Sequence, residues 1–145
     1  PYTDQPTLLI DRVCQVICGD VAELTVNGTD YPTPDGTAVR DYVHVADIAD
    51  PHVAALRYLH ADGASATFNC GYGRGLSVKQ IVDAAKRVSG VDFPVRYGPR
   101  RAGDVAMIEA NSTAIRDVMG WQPRHADLDT MIAGALAWYK RRTGR

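Results

Sequence analysis

Short β-branched runs alternate with longer helical patterns along this chain, and no other feature restricts its fold as much. Helices are predicted over residues 7–18, 46–60, 78–88, 112–119 and 128–141. Extended runs are predicted over residues 22–26, 41–45, 66–70 and 95–97. The alternation predicts an α/β fold. Because the strands are few and short, it does not predict a free-standing doubly wound sheet.

Local signals mark where several of these helices begin and end. Asp47 is predicted as the N-cap of the second helix and Ser77 as that of the third, while Gly90 stops the third. Pro51 is unfavourable in the second helix unless it lies within the first turn, since it removes one backbone hydrogen bond.

A loop of fixed shape is predicted between the first strand and the second helix. Asn27 and Gly28 form a turn signal, and residues 30–37 contain two prolines and a glycine. Arg40 follows this loop closely. A guanidinium held beside a shaped loop matches phosphate oxygens bidentately, and the alternative interpretation is a surface ion pair with Asp41.

A second loop, residues 99–104, carries Arg100, Arg101 and Asp104. Two guanidiniums can clamp a phosphate and a carboxylate can accept from a sugar hydroxyl, whereas the alternative is a solvated basic turn. Residues 73–145 hold 13 bases and 7 acids, although residues 1–72 hold 3 bases and 10 acids. The basic half is compatible with an anionic ligand.

Composition excludes several classes of protein. The net charge of −1 argues against an ordinary nucleic-acid binder, and no apolar run approaches the roughly 18 residues of a membrane helix. We also find no signal peptide. The sparse cysteines, Cys14, Cys18 and Cys70, favour a reducing compartment, which we take to be the cytoplasm. Cys14 and Cys18 are interpreted as small buried residues rather than zinc ligands.

Most motifs of catalysis and cofactor binding are missing from the sequence. The turn at residues 71–75 reads G-x-G-x-G, which differs from the dinucleotide fingerprint and favours a tight strand-to-helix turn. No Tyr is followed four residues later by Lys, and the chain contains no nucleophile elbow, H-E-x-x-H or Walker A sequence. His44, His52 and His60 are interpreted as surface or packing residues, so no metal site is predicted.

Residues 28–47 read GTDYPTPDGTAVRDYVHVAD and resemble the signature of the UDP-glucose 4-epimerases, which are extended short-chain dehydrogenase/reductases. The resemblance continues through residues 68–71, 77–78, 99–104 and 120–121. It is to the C-terminal part of that family only. It implies that residues 1–145 form a C-terminal UDP-sugar-binding portion with late elements of the Rossmann domain, and that the N-terminal NAD-binding part is absent from this chain.

The resemblance also implies a set of substrate contacts. Arg40 and Arg101 would bind the diphosphate, and Asp104 the ribose. The uracil and its surroundings would be contacted by Thr25, Asn27, Leu9 and Val78. Tyr42 would support Arg40, and Ile108 would limit the room around the hexose, which favours plain glucose or galactose. Asn27 departs from the family, where an aromatic residue usually flanks the base.

As an intact protein, such a chain would belong to an isomerase that inverts C4 of UDP-glucose or UDP-galactose by NAD-dependent oxidation and re-reduction. The chain alone is expected to be inactive. The alternatives are another nucleotide-sugar enzyme, a decarboxylase or dehydratase, or a degenerate binding module. In the family the segment 66–70 joins the Rossmann sheet, so the expected partners are a UDP-hexose and either the missing N-terminal part or a second copy. Nucleic acid and membrane are not expected partners.

Overall fold

A computed structural model describes residues 8–145, so Thr7, the predicted start of the first helix, lies outside the described residues. The helices are α1 Leu9–Ile17, α2 Val45–His60, α3 Val78–Ser89, α4 Thr113–Met119 and α5 Leu128–Arg142. The strands are β1 Leu24–Asn27, β2 Val39–Arg40, β3 Leu76–Ser77, β4 Val95–Gly98 and β5 Met107–Ile108. The predicted α/β class, with five helices and few short strands in the described residues, is confirmed.

The described residues divide into two compact units. Unit 1 comprises residues 8–38, 77–106 and 127–145, and unit 2 comprises residues 39–76 and 107–126. The boundary falls inside β3, since Leu76 belongs to unit 2 and Ser77 to unit 1.

Unit 1 is built on a two-stranded parallel sheet. Strand β1 pairs with β4, from Leu24 opposite Val95 to Asn27 opposite Gly98. Leu24 and Val26 are almost fully buried, while the alternate residues of β1 are half-buried. Helices α1, α3 and α5 pack against one another, and α1 also contacts β1. The sheet therefore buries one face in the core and leaves the other face half-buried.

Helix α3 follows its sequence signals closely. The Ser77 hydroxyl accepts a hydrogen bond from the Gln80 amide at 3.0 Å, and the Gln80 side chain accepts one from the Ser77 amide at 2.8 Å. Together these contacts form a capping box. Gly90 ends the helix in the left-handed conformation, with φ of 70°.

The predicted N-cap of the second helix was wrong. His44 occupies that position, and its Nδ1 accepts a hydrogen bond from the Ala46 amide at 3.1 Å. Asp47 lies inside the first turn of α2, with no exposed surface. Its carboxylate accepts hydrogen bonds from other residues of unit 2, so it does not cap its own helix.

Pro51 lies well inside α2 rather than in its first turn, and it is buried. A proline has no N–H to donate to the carbonyl four residues earlier, which here is that of Asp47. The Cys70 thiol donates to this carbonyl, with an Sγ to O distance of 3.7 Å. Helix α2 thus continues through Pro51 with a side-chain donor replacing the missing backbone donor.

Two extended runs were also predicted wrongly. Residues 41–44 have no regular structure, and the helix begins at Val45. Residues 66–70 form no strand and are mostly exposed. A strand is stabilised by ladder hydrogen bonds, and no described segment pairs with residues 66–70. Residues 66–70 therefore have a sequence typical of a strand, but no strand of the described chain pairs with them.

Candidate functional site

The residues predicted for the substrate site lie in both units. Unit 2 carries Arg40, Tyr42 and Ile108. Unit 1 carries Leu9, Thr25, Asn27, Val78, Arg101 and Asp104.

In unit 1, the structure brings Asn27 and Arg101 together. Both Thr25 and Asn27 lie on the half-buried face of β1. The Thr25 hydroxyl accepts a hydrogen bond from Arg96 Nη2 at 2.9 Å. With its amide oxygen turned to the guanidinium, Asn27 accepts from Arg101 Nη2 and Nε, each at 3.0 Å. Sequence reasoning listed Asn27 and Arg101 but did not link them, since the link depends on the pairing of β1 with β4.

The loop after β4 gives its two arginines different surroundings. Arg100 Nε donates to the Asp30 carboxylate at 2.7 Å, and its guanidinium lies 4.3 Å from the centre of the Tyr31 ring. Arg100 therefore fixes the loop at residues 30–37. Arg101 is exposed, and its carbonyl accepts from the Asp104 amide at 3.2 Å. Of this pair, Arg101 is the arginine suited to a ligand.

Asp35 organises the loop predicted to have a fixed shape. Its carboxylate accepts from the Thr37 amide at 2.9 Å, from the Thr37 hydroxyl at 2.7 Å and from the Ser77 hydroxyl. Burial alone would raise the pKa of this carboxyl, but these hydrogen bonds outweigh it and lower the pKa. The loop leads to Ala38, whose carbonyl accepts from the Val78 amide at 3.0 Å. The prediction of a rigid loop is confirmed.

Leu9 and Val78 each occupy the first position of a helix, α1 and α3 respectively. Both side chains are half-buried. Apolar groups in such positions can form walls of a pocket while keeping part of their surface exposed to a ligand. Their predicted roles at the base and the pocket wall remain predictions.

In unit 2, Arg40 and Ile108 lie directly opposite each other on the parallel strands β2 and β5. Arg40 Nη1 donates to the Val39 carbonyl at 2.7 Å, and the Ile108 side chain is 52% exposed. Burial raises the pKa of Tyr42 to about 12, although the positive charge of Arg40 acts in the opposite direction. Tyr42 thus stays a neutral phenol near Arg40, and these three predicted residues belong to one neighbourhood.

Asp41 has a role that the ion-pair interpretation missed. Its carboxylate accepts from the amides of Tyr72 at 3.0 Å, Gly73 at 2.9 Å and Ala110 at 3.2 Å. Asp41 is half-buried and joins the glycine-rich turn to the segment after β5. A surface ion pair with Arg40 is therefore not what determines its position.

The glycine-rich turn does not fit the pyrophosphate of a dinucleotide. The amides of Tyr72 and Gly73 donate to Asp41, and the Gly75 amide donates to the Glu109 carboxylate at 2.7 Å. A phosphate site needs such amides unoccupied, and two carboxylates at the turn would repel an anion. Residues 71–75 form a bent segment that leads through β3 into α3, and the strand predicted before it is absent from the described residues.

His44 and Cys14 have structural roles in the described residues. His44 and His125 stack with ring centres 4.8 Å apart, and burial raises the pKa of Cys14 to about 12. Within residues 8–145, no group of three or more His, Cys, Asp or Glu side chains is placed to hold a metal ion. No helix in the same range has the length and apolarity needed to cross a bilayer.

Comparison with known proteins shows what this chain is similar to. The model of the NAD dependent epimerase/dehydratase family matches residues 2–71. The UDP-glucose 4-epimerase of Azospirillum brasilense is 46% identical over 136 residues, which is 94% of this chain and 39% of the relative. That of Lacticaseibacillus casei is 45% identical, covering 92% of this chain and 40% of the relative. The chain thus spans about two fifths of the length of the curated relatives it matches.

Solved structures agree with the sequence comparison. The UDP-glucose-4-epimerase of Stenotrophomonas maltophila, with bound NAD and formylated UDP-arabinopyranose, gives a TM-score of 0.94 at 39% identity, over 99% of this chain and 43% of that chain. The enzyme of Bifidobacterium longum in complex with NAD+ and UDP gives 0.87 at 37% identity, over 95% and 41%. The resemblance to UDP-glucose 4-epimerases found in the sequence is confirmed.

Proposed function

We propose that this chain is a member of the NAD dependent epimerase/dehydratase family and supplies the UDP-hexose site of a UDP-glucose 4-epimerase as its C-terminal portion. The observation that carries the proposal is that each unit, taken by itself, places a guanidinium at or just after the end of a strand. Arg40 ends β2 in unit 2, and Arg101 follows the carboxyl end of β4 in unit 1. Ligands of open α/β sheets bind beyond the carboxyl ends of parallel strands.

The chemistry of a UDP-sugar matches these residues. Its diphosphate carries two negative charges, and Arg40 and Arg101 supply fixed positive charges with several donors each. Asp104 accepts from the ribose hydroxyls, and the face of β1 meets the base. Contacts to the nucleotide supply binding energy that positions the hexose, although these contacts lie far from its reacting carbon.

We place the catalytic chemistry outside this chain. The whole protein would interconvert UDP-glucose and UDP-galactose by inversion at C4, and NAD supplies the hydride transfer in such enzymes. The glycine-rich turn described above does not fit NAD, and the sequence lacks a Tyr-x-x-x-Lys pair. The remainder of the protein is therefore the proposed location of NAD and of proton transfer, and the cytoplasm is the proposed location of the protein.

The share of each relative that this chain covers agrees with a cofactor site outside the chain. The chain covers about two fifths of each relative, which leaves room for a separate cofactor-binding portion. The exposed Ile108 beside Arg40 supports a plain hexose as substrate. No contact in residues 8–145 favours a decarboxylase, a dehydratase or a non-catalytic module over the epimerase.

Binding of UDP by the 145-residue chain tests the proposal. We expect calorimetry to detect binding, and Arg101→Gln or Arg40→Gln to weaken it by about tenfold each, since a charge-assisted contact to phosphate is lost. The matched control is Arg87→Gln, which removes an equal charge from α3, where Arg87 pairs with Asp129. The chain supplied with NAD should not convert UDP-galactose.

Two results would contradict this expectation. If Arg101→Gln, Arg40→Gln and Arg87→Gln all lowered UDP affinity equally, binding would depend only on the net charge of the chain. Conversion of UDP-galactose by the chain alone would show that the catalytic groups lie within it.

The exposed face of α2 supports a proposal about partners. Val53, Leu56 and Leu59 lie three residues apart along this helix and are 47%, 60% and 54% exposed. Residues 66–70, which lack a paired strand, belong to the same unit. Folded proteins usually bury large apolar faces and unpaired strand-like segments against another element or chain. We therefore propose that the remainder of the protein or a second copy covers this face.

Light scattering checks this proposal on the isolated chain. We expect self-association that Leu56→Glu reduces, because a charge on the apolar face opposes its burial. Trp138→Glu on α5 changes a side chain of similar exposure, 53%, and should leave association unaltered. A monomeric wild-type chain with cooperative unfolding would contradict the proposal.

A further inference from the structure

We infer that Asn27 is a positioning residue that holds Arg101 ready for the phosphates of the ligand. The inference rests on the proposed function, because it takes a UDP-sugar as the ligand. It gives Asn27 a role other than contact with the base. The side chain at this position is turned to a guanidinium and not to a stacking partner.

The register of the small sheet creates the contact. Asn27 is the last residue of β1 and lies opposite Gly98, the last residue of β4. Three residues further along, Arg101 returns its side chain to Asn27. The Gly28 amide donates to the Gly98 carbonyl at 2.9 Å, so the two chains stay paired just beyond the strands. Both ends of the Asn27–Arg101 contact are therefore anchored by backbone hydrogen bonds.

The contact uses only one edge of the guanidinium. Nε and Nη2 form one edge, and both donate to the Asn27 oxygen at 3.0 Å when the amide is assigned with its oxygen toward the guanidinium. The second edge is formed by Nη1 and the other hydrogen of Nη2. This is the edge that can donate two parallel hydrogen bonds to phosphate oxygens.

Holding Arg101 in advance lowers the entropy lost on binding. Arg101 is exposed, and a free arginine side chain samples many rotamers. A side chain already fixed in its bound geometry loses less of that freedom when the ligand arrives. The neighbouring Arg100 contacts Asp30 and Tyr31 in the loop. Arg101 instead contacts Asn27 at the end of β1.

A neutral amide suits this role better than a carboxylate. An aspartate in place of Asn27 would grip the guanidinium more strongly, but its negative charge would cancel the attraction for a diphosphate. An amide fixes the geometry and leaves the positive charge for the ligand. This difference separates positioning from simple contact, because Asn27→Asp preserves the shape and the hydrogen bonds.

The test compares UDP with uridine, which has no phosphates, on the 145-residue chain and its variants. We expect Asn27→Ala to weaken UDP binding about fivefold and Asn27→Asp to weaken it more, about tenfold or beyond, with uridine binding unchanged. In the Arg101→Gln background, Asn27→Ala should have no further effect. Glu23→Gln is the matched control on the same sheet, since it removes the negative charge that pairs with Arg96 at 2.6 Å while Arg96 keeps its hydrogen bond to Thr25, and it should leave UDP binding unchanged.

A second measurement examines the contact without ligand. Relaxation of the Arg101 side-chain ¹⁵Nε should show restricted motion in the wild-type chain and free motion in Asn27→Ala. Equal mobility in the two proteins, equal losses for UDP and uridine, or additive losses with Arg101→Gln would overturn the inference. Absence of UDP binding by the wild-type chain would instead overturn the proposed function, whatever the state of Arg101.

Discussion

Replacing Asp47 with alanine should lower the free energy of unfolding of unit 2 by about 3 kcal/mol, because three donors lose a buried, charged acceptor. The carboxylate accepts from the Tyr72 hydroxyl at 2.7 Å, from the Arg124 amide at 3.0 Å and from the His125 amide at 2.8 Å. These donors come from two chain segments, and the buried Asp47 carboxylate joins both of them to α2. Removing it leaves each of them without its acceptor.

The measurement is urea unfolding followed by the fluorescence of Trp121, in a Trp138→Phe background. The control is Asp50→Asn on the same helix, where the acid pairs with exposed Arg124 at the surface. Such a pair contributes about 0.5 kcal/mol or less. If both substitutions had the same small effect, Asp47 would not be a central junction of unit 2.

The same site predicts how stability depends on pH. Burial alone would raise the pKa of Asp47, but the bonds from Tyr72, Arg124 and His125 outweigh it, so the pKa lies below its usual value of 3.8. The unfolded chain therefore binds a proton here more readily than the folded one. The contribution of Asp47 is fully present above the unfolded pKa and is lost as pH falls through the folded pKa. Asp47→Asn should reduce this loss of stability in acid.

Signals that act within a few residues predicted the structure well. Ser77, Gln80 and Gly90 define α3 through contacts inside the helix and its ends, so its limits could be read from the sequence. The rigid loop before Arg40 was likewise predictable, because prolines, glycine and Asp35 act locally. The helical patterns of α4 and α5 were predictable for the same reason.

Features that depend on distant partners were not predictable. Asp47 looked like an N-cap because its use by Tyr72 and the segment 124–125 depends on folding of the unit. Pro51 is tolerated because Cys70 supplies a donor from 19 positions further along. The segment 66–70 has the composition of a strand, but a strand also needs a neighbour. In the site, residue types identified Arg101 and Asn27 separately, and only strand pairing joined them.

Gly36→Ala should destabilise unit 1 by roughly 3 kcal/mol or more, since the new side chain would collide with backbone. Gly36 has φ of 80°, and a Cβ there would lie 2.1 Å from the Thr29 carbonyl oxygen. The loop cannot simply shift, because the Gly36 carbonyl accepts from the Tyr31 amide at 2.9 Å and its amide donates to the Thr33 carbonyl at 3.2 Å.

Gly90→Ala is the control, because it measures the cost of a positive φ at a position where the new side chain meets no other atom. Gly90 also has a positive φ, 70°, but a Cβ there meets nothing within 4 Å, so alanine should cost only about 1–2 kcal/mol. Hydrogen exchange reads the two effects locally. In Gly36→Ala, the amides of Tyr31 and of Lys79, which donates to the Thr37 hydroxyl at 3.2 Å, should lose protection. If Gly36→Ala cost no more than Gly90→Ala and both amides stayed protected, the loop would not be the rigid support that fixes the start of α3 and Val78.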